Sequence, residues 1–239
     1  MSVFSYHLAD VTFLSGMKGI CLNPIPKYTK GLIHSEYTTL MTLGAALVSP
    51  SRFLLGQIAV FAQWEDEKAI DDFLAEDSFG RILNEGWHIR LDFLRQWGNY
   101  SEFEIPEKNV AIENRNSAVV AITIAKMRPF EIPRFIRWGR PVEKLVRDHP
   151  GTTLSLASIR FPNVVSTFSI WETEEEMLSM VHGHSHVPKP ERHSVAMKER
   201  ARKDFHFEFT TLRFKPLSES GEWQGQRNFI PNLNIQQHQ

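Results

Sequence analysis

The chain has 239 residues, 42% of them hydrophobic and 23% charged, with a formal net charge of −1. That is enough apolar material for a real core, and with a near-neutral charge nothing suggests a nucleic acid or another polyanionic partner. Cys21 is the sole cysteine, which rules out an internal disulfide and every multi-cysteine metal site, and the longest apolar runs, such as Leu43 to Val48, are far too short to span a bilayer. The N-terminus has no basic region leading into an apolar stretch, so no signal peptide is expected and a cytoplasmic protein fits best.

In chain order, Val11 to Leu14 is predicted to begin the first strand, and Gly31 falls in the first helical region. Gly56 to Trp64 reads as a strand with Ile58, Val60, Ala62 and Trp64 on one face. Glu65-Asp66-Glu67 opens a helix carrying Ile70, Phe73, Leu74, Phe79, Ile82 and Leu83. Trp87 to Arg95 closes the first half, and residues 101–116, polar and containing Pro106, read as a linker.

Ala118 to Ile124 is β-branched and apolar, a strand. Ile132, Phe135, Ile136, Gly139, Val142, Leu145 and Val146 then recur at helical spacing, with Pro141 expected to kink or restart the helix. His149-Pro150-Gly151 ends it. Thr153 to Arg160 and Val164 to Trp171 form a hairpin around Phe161-Pro162-Asn163. Four glutamates, Glu172, Glu174, Glu175 and Glu176, mark the start of another helix, where negative charge suits the dipole. Phe205 to Phe214 is the last strand, and the tail beyond Pro216 is expected to run over the surface, anchored by Trp223 and Phe229.

The two halves repeat each other. Arg52-Phe53 leads to Trp64-Glu65 as Arg160-Phe161 leads to Trp171-Glu172, and the last strands end at Arg95 and Arg213. The tryptophans are 107 residues apart and the arginines 118, so the second copy carries 11 extra residues between Trp171 and Phe205. Each half reads strand, helix, strand, strand, helix, strand, and such a βαββαβ unit must cover the open face of its sheet. The expected fold is therefore α+β: tandem ferredoxin-like halves that pair within one chain as a pseudo-dimeric α+β barrel. The expected boundaries are 1–105 and 117–216 for the halves, 106–116 for the linker and 217–239 for the surface tail.

The insertion holds His182, His184, His186 and His193. On a strand the first three would share a face and suit a divalent metal, with His186 beside Glu191; Gly183, Pro188 and Pro190 favour a loop instead. Arg192, Lys198, Arg200, Arg202 and Lys203 form a basic run that either meets a carboxylate ligand or is solvated and balanced by Glu191, Glu199 and Asp204. Alternation puts Arg95 on the face of Ile89, Leu91 and Phe93, and Arg213 on that of Phe207, Phe209 and Thr211. Each arginine is either a structural ion pair at the sheet's end or an anion contact at a cavity mouth. His88 and His206 fall on the opposite face and read as packing inherited by duplication. Trp138 and Trp171 are either pocket walls or plain core.

The stretch Trp64-Glu65-Asp66-Glu67, Phe73-Leu74, Ser78-Phe79 resembles the strand-to-helix signature of the dimeric α+β barrel superfamily. Trp138-Gly139-Arg140, Trp171-Glu172, His193 with Lys198 to Phe209, Leu212-Arg213-Phe214-x-Pro216 and the tail motifs Ser220-Gly221-Glu222-Trp223-x-Gly225 and Phe229-x-Pro231 resemble its spheroidene monooxygenase-like, haem-containing branch. The likeness covers most of the second half and the first half loosely. It implies haem, iron held by a histidine on the second helix of a half, and oxygenation of an apolar substrate. In the first half that position falls near Leu83 and Asn84, which cannot ligate iron; in the second His193 is the nearest candidate, with Glu191 or Glu199 as the partner orienting its ring. The resemblance then places Arg200, Arg213, Trp138 and Trp171 around the cofactor, with His186 the runner-up ligand. Haem-degrading members carry a tryptophan where this chain has Phe73 and Met180, a departure that argues against haem degradation.

The leading expectation is a haem-dependent oxidoreductase, a monooxygenase acting on a small apolar organic substrate. Two alternatives share the fold: a cofactor-independent enzyme with a histidine general base, and a non-catalytic haem or ligand carrier. Pairing inside one chain removes the need for a dimer and leaves a homo-oligomer open.

Overall fold

Both faces of the first strand are buried. In the computed structural model, which describes residues 2–21, 29–45, 49, 52–103, 105 and 115–231, Phe4, Tyr6 and Leu8 are buried in one cluster while Ser5 and His7 are buried on the opposite face. This is β1 (Val3–Asp10). It is followed by α1 (Phe13–Cys21), β2 (Leu32–Met41), β3 (Phe53–Trp64), α2 (Glu67–Glu76), α3 (Ser78–Glu85) and β4 (Trp87–Asn99). The second half supplies β5 (Val119–Met127), α4 (Ile132–Arg147), β6 (Thr152–Arg160), β7 (Val164–Trp171), α5 (Glu174–His182), α6 (Arg192–Arg202) and β8 (His206–Ser220).

The strands form a closed barrel in the order β1-β3-β2-β6-β7-β5-β8-β4. Each half contributes four neighbouring strands, and the halves join at β2–β6 and along the long β4–β8 pair. Every pair is antiparallel. Closure removes the free sheet edges. The interior is solid: Phe4, Phe61, Phe93 and Phe214 pack ring on ring, with centroids 5.1–5.9 Å apart. The helices pack outside, and any cavity must lie between them and the sheet.

Capping fixes where the helices start. Asp66 accepts from the Ala69 amide at 2.8 Å, and Thr173 from the Glu176 amide at 3.1 Å. Asp77 breaks the single helix expected in the first half into two, because its carboxylate accepts from the Phe79 and Gly80 amides and starts α3 anew. Between α5 and α6 the break is nine residues long, from Gly183 to Glu191, and Gly183 ends α5 with φ 77°. The insertion is thus a loop with the histidines in and around it.

Other expectations need correction. Val11 to Leu14 lies at the start of α1, not in the first strand, and Gly31 is a turn residue with φ 72° before β2, not helical. Pro141 sits inside an unbroken α4. Beyond Pro216 the chain stays in β8 to Ser220; after it the expected anchors Trp223 and Phe229 are buried in the core cluster with Ile230, and residues 224–228 between them run exposed over the surface. The Glu219 carboxylate fastens this segment, accepting from the Phe229 and Ile230 amides at 2.9 and 3.0 Å and from Trp87 Nε1 at 2.7 Å. Most of the predicted linker, residues 106–114, and the end of the tail, residues 232–239, lie outside the described residues.

Candidate functional site

The second half encloses a cavity of about 630 Å³ between its sheet and helices α4, α5 and α6. Its size follows from the residues on the sheet's outer face. Val3 pairs with Trp64 and Val119 with Trp171, so the repeat aligns β1 with β5. Where the first half has the cross-strand pair His7–His88, the second has Thr123–Thr211. Where β3 has Val60 and Ala62 before its tryptophan, β7 has Thr167 and Ser169. In the first half His7, His88, Val60, Trp64, Phe73 and Leu74 fill this layer. In the second the small floor residues leave it open.

His193 lines this cavity from the first turn of α6. Its Nδ1 lies 2.9 Å from the Val181 carbonyl oxygen. A carbonyl only accepts, so Nδ1 carries the hydrogen and the neutral ring keeps its lone pair on Nε2. Burial holds the ring's pKa below the usual histidine value, with Arg213 and His182 adding to the effect and the Val181 bond opposing it. The orienting partner is therefore a backbone carbonyl. Glu199, one of the two expected partners, instead holds Arg134 and Arg202, and Glu191 precedes the helix.

The other expected residues also line the cavity: Arg213, Arg200, Trp138 and Trp171. Trp171 is 1% exposed and donates from Nε1 to Ser169 Oγ at 2.9 Å. The Arg200 guanidinium stacks 3.7 Å over the Phe209 ring and lies 3.6 Å from Asp204. His186 is exposed and does not line the cavity; His182 does, from the last turn of α5. Among the described residues the histidines of the insertion form no cluster of metal-ligating atoms. The single group with that spacing is His34, Glu36 and Glu102, and Arg160 already pairs with both carboxylates.

Two β-bulges move side chains across the sheet. One between Phe93 and Arg95 shifts the phase of β4. Ile89, Leu91 and Phe93 face the barrel core, while Arg95 and Trp97 line the cavity, so Arg95 does not share the face expected for it. The other, between Lys126 and Met127 opposite β8, brings His206 onto the cavity side with Phe209, Thr211 and Arg213. Strict alternation had put His206 on the opposite face.

His206 is the functional candidate that alternation hides. Its Nδ1 donates to Asp204 at 2.8 Å, and its Nε2 is buried with no hydrogen-bond partner among the described residues. Burial holds the ring below the usual histidine pKa although Asp204 pulls the other way, so it is neutral near pH 7 and able to take a proton. Asp204-Phe205-His206, a carboxylate two residues before a histidine at a strand's start, was the available signal.

No family model matches the chain, and no curated protein matches it. Solved structures do. An aldoxime dehydratase in complex with butyraldoxime is 9% identical, with a TM-score of 0.49 over 90% of this chain and 79% of that one. A provisionally named monooxygenase from Fusobacterium nucleatum is 10% identical, with a TM-score of 0.38 over 92% and 94%. A haem-degrading enzyme from Listeria monocytogenes is 13% identical, with a TM-score of 0.30 over 90% and 100%. The closed barrel consists of two four-stranded sheets, in the orders β4-β1-β3-β2 and β8-β5-β7-β6. The likeness concerns chain path, and what each neighbour is named for belongs to that neighbour.

Proposed function

We propose that this chain is a single-chain counterpart of a dimeric α+β barrel, binds haem in its second-half cavity, and acts as an oxidoreductase, a monooxygenase, on a small apolar organic molecule in the cytoplasm. The observation that carries the reading is the His193 tautomer. A neutral imidazole whose Nδ1–H is tied to the Val181 carbonyl would be able to hold a haem iron through Nε2. The surroundings fit the group. The cavity volume lies within the roughly 300–1,000 Å³ of cofactor and ligand pockets. Trp138, Trp171 and Phe209 offer apolar walls, and Arg200 and Arg213 offer cations for carboxylates.

When bound, haem would supply the oxygen chemistry. The chain's own part is narrower. His193 would hold the group, with its ring oriented by Val181. The apolar walls exclude water and orient the substrate. His206, held by Asp204, accepts or returns a proton at Nε2.

The Asp204–His206 pair also favours a second reading, in which the cavity works without a cofactor and His206 is the general base on an acidic organic substrate. Haem titration of the purified protein separates the two. The first reading expects a Soret band that is lost in His193→Ala and retained in His184→Ala and His206→Ala. A protein that stays colourless after reconstitution would sink it. Oxygen or peroxide consumption with an apolar substrate separates an enzyme from a carrier.

A further inference from the structure

The cavity's charge does not balance. Six charged residues line it: Arg95, Arg115, Arg200 and Arg213 against Glu143 and Glu174. Glu143 is engaged by the Gly44 amide at 2.8 Å and by Arg52 at 3.5 Å. Glu174 accepts from Arg95 at 2.8 Å, and Arg200 has Asp204. Arg213 is different. It is 7% exposed, has no carboxylate within ion-pair distance among the described residues, and its Nε is buried without a hydrogen-bond partner. Its Nη1 donates to the Met177 sulfur, a weak acceptor.

Arg95 is its cross-strand partner, and both guanidiniums lie over the Trp97 ring, at 4.4 and 5.5 Å. Like charges directly opposite on a sheet repel. One glutamate serves two arginines, so this corner carries one uncompensated positive charge in a dry setting. A guanidinium there needs an anion, and its planar fork suits a carboxylate.

We propose that Arg213, with Arg95 beside it, is the receptor for a carboxylate carried by the molecule that fills the cavity, so that the ligand is an apolar acid rather than a neutral hydrocarbon. The inference rests on reading the cavity as a ligand site, whichever ligand fills it. Within the Arg95–Glu174–Arg213 cluster the one surplus charge matches one carboxylate. The carboxylate belongs either to a haem propionate or to the substrate itself.

Two matched pairs of probes test this by direct binding. One is ferric haem against its dimethyl ester, followed by absorbance. The other is a dansyl-labelled long-chain fatty acid against its methyl ester, followed by fluorescence. The expected result is a preference of about ten-fold or more for the free acid in at least one pair. Arg213→Met should bring that preference to within about two-fold while the ester binds as before, and Arg213→Lys should keep part of it. Equal binding of acid and ester in both pairs by the wild-type protein overturns the proposal, a comparison that needs no variant to fold.

A preference confined to the haem pair assigns the carboxylate to the cofactor. A preference for the fatty acid that persists in haem-loaded protein assigns it to the substrate. If haem does not bind but the fatty acid is preferred, the haem reading falls and this one stands. If haem binds and neither acid is preferred, the reverse holds. Binding of none of the four molecules overturns both.

Discussion

Arg95 and Arg213 face each other across the β4–β8 seam, one from each half of the duplicated chain. They end matching strands in the sequence, yet they are not matching positions in the fold. Arg213 pairs with Ala121 as Arg90 pairs with Ser5, so the structural counterpart of Arg213 is Arg90. Arg90 has Glu67 and Asp71 as partners on the surface. Arg213 has instead Arg95, delivered by the bulge after Phe93. The first half thus lends a side chain to the second half's cavity.

Glu174 is the carboxylate that pairs with Arg95 among the described residues, and it is buried. Glu174→Gln should destabilise the protein by about 2–3 kcal/mol, somewhat below the loss typical of a fully buried pair because Arg95 is partly exposed. Arg213→Met alone should be neutral or stabilising. The double variant should recover most of the loss. Urea denaturation of the four proteins measures this, and a Glu174→Gln variant as stable as the wild type would show that the charges are not coupled.

The repeat, the β6–β7 hairpin and the starts of α2 and α5 were legible because tryptophans, turn residues and glutamate clusters mark them locally. The first strand was not, since Ser5 and His7 look like surface residues. In fact Ser5 Oγ lies 2.8 Å from His7 Nε2 and accepts Trp64 Nε1–H at 2.8 Å, which makes their burial affordable. His193, Arg200, Arg213, Trp138 and Trp171 were legible as candidates and do meet at one cavity. His206 and the true face of Arg95 were not, because a bulge adds one residue and reverses every later side chain, and no local composition marks where it falls.

His7 and His88 lie with ring centroids 5.5 Å apart in the filled layer of the first half, each with a buried Nδ1 that has no hydrogen-bond partner among the described residues. Burial, then each other's charge and that of Arg90, keeps the His7 ring neutral well below the usual histidine pKa; burial and Arg90 do the same for His88. In the unfolded chain both titrate near pH 6.5. Below that pH the unfolded state therefore binds more protons. Stability should be fully present above about pH 6.5 and fall as pH drops, by up to about 1.4 kcal/mol per pH unit for each ring. Denaturation midpoints between pH 7.5 and 5, roughly the window that the usual histidine pKa sets, check this, and His7→Asn combined with His88→Asn should flatten the slope.

Thr123 and Thr211 hold the cavity open, with their hydroxyl oxygens 3.3 Å apart. Thr211→Leu should fill part of it. The fold should survive with unchanged or slightly raised Tm, since added methyl groups enter empty space rather than packed atoms. Haem or fatty-acid affinity should drop at least about ten-fold. The same substitution made elsewhere on an exposed strand face should do neither. Unchanged affinity in a well-folded Thr211→Leu protein would place the ligand site outside this cavity.

Trp64 and Trp171 occupy equivalent places, both at the end of the third strand of a half and both at most 1% exposed. Their neighbours differ. Trp64 packs 5.2 Å from the Phe73 ring in a filled layer. Trp171 borders the cavity, with Met180 where the first half has Phe73. Truncation of a buried tryptophan costs about 3–5 kcal/mol when the surroundings are closely packed. Trp64→Ala should reach that range. Trp171→Ala should cost less, because the loss enlarges an existing cavity instead of making a new one. Its effect should appear instead in ligand affinity, which Trp64→Ala leaves intact in protein that remains folded. Equal losses in stability for the two variants, with no change in binding for either, would show that Trp171 is plain core like its counterpart.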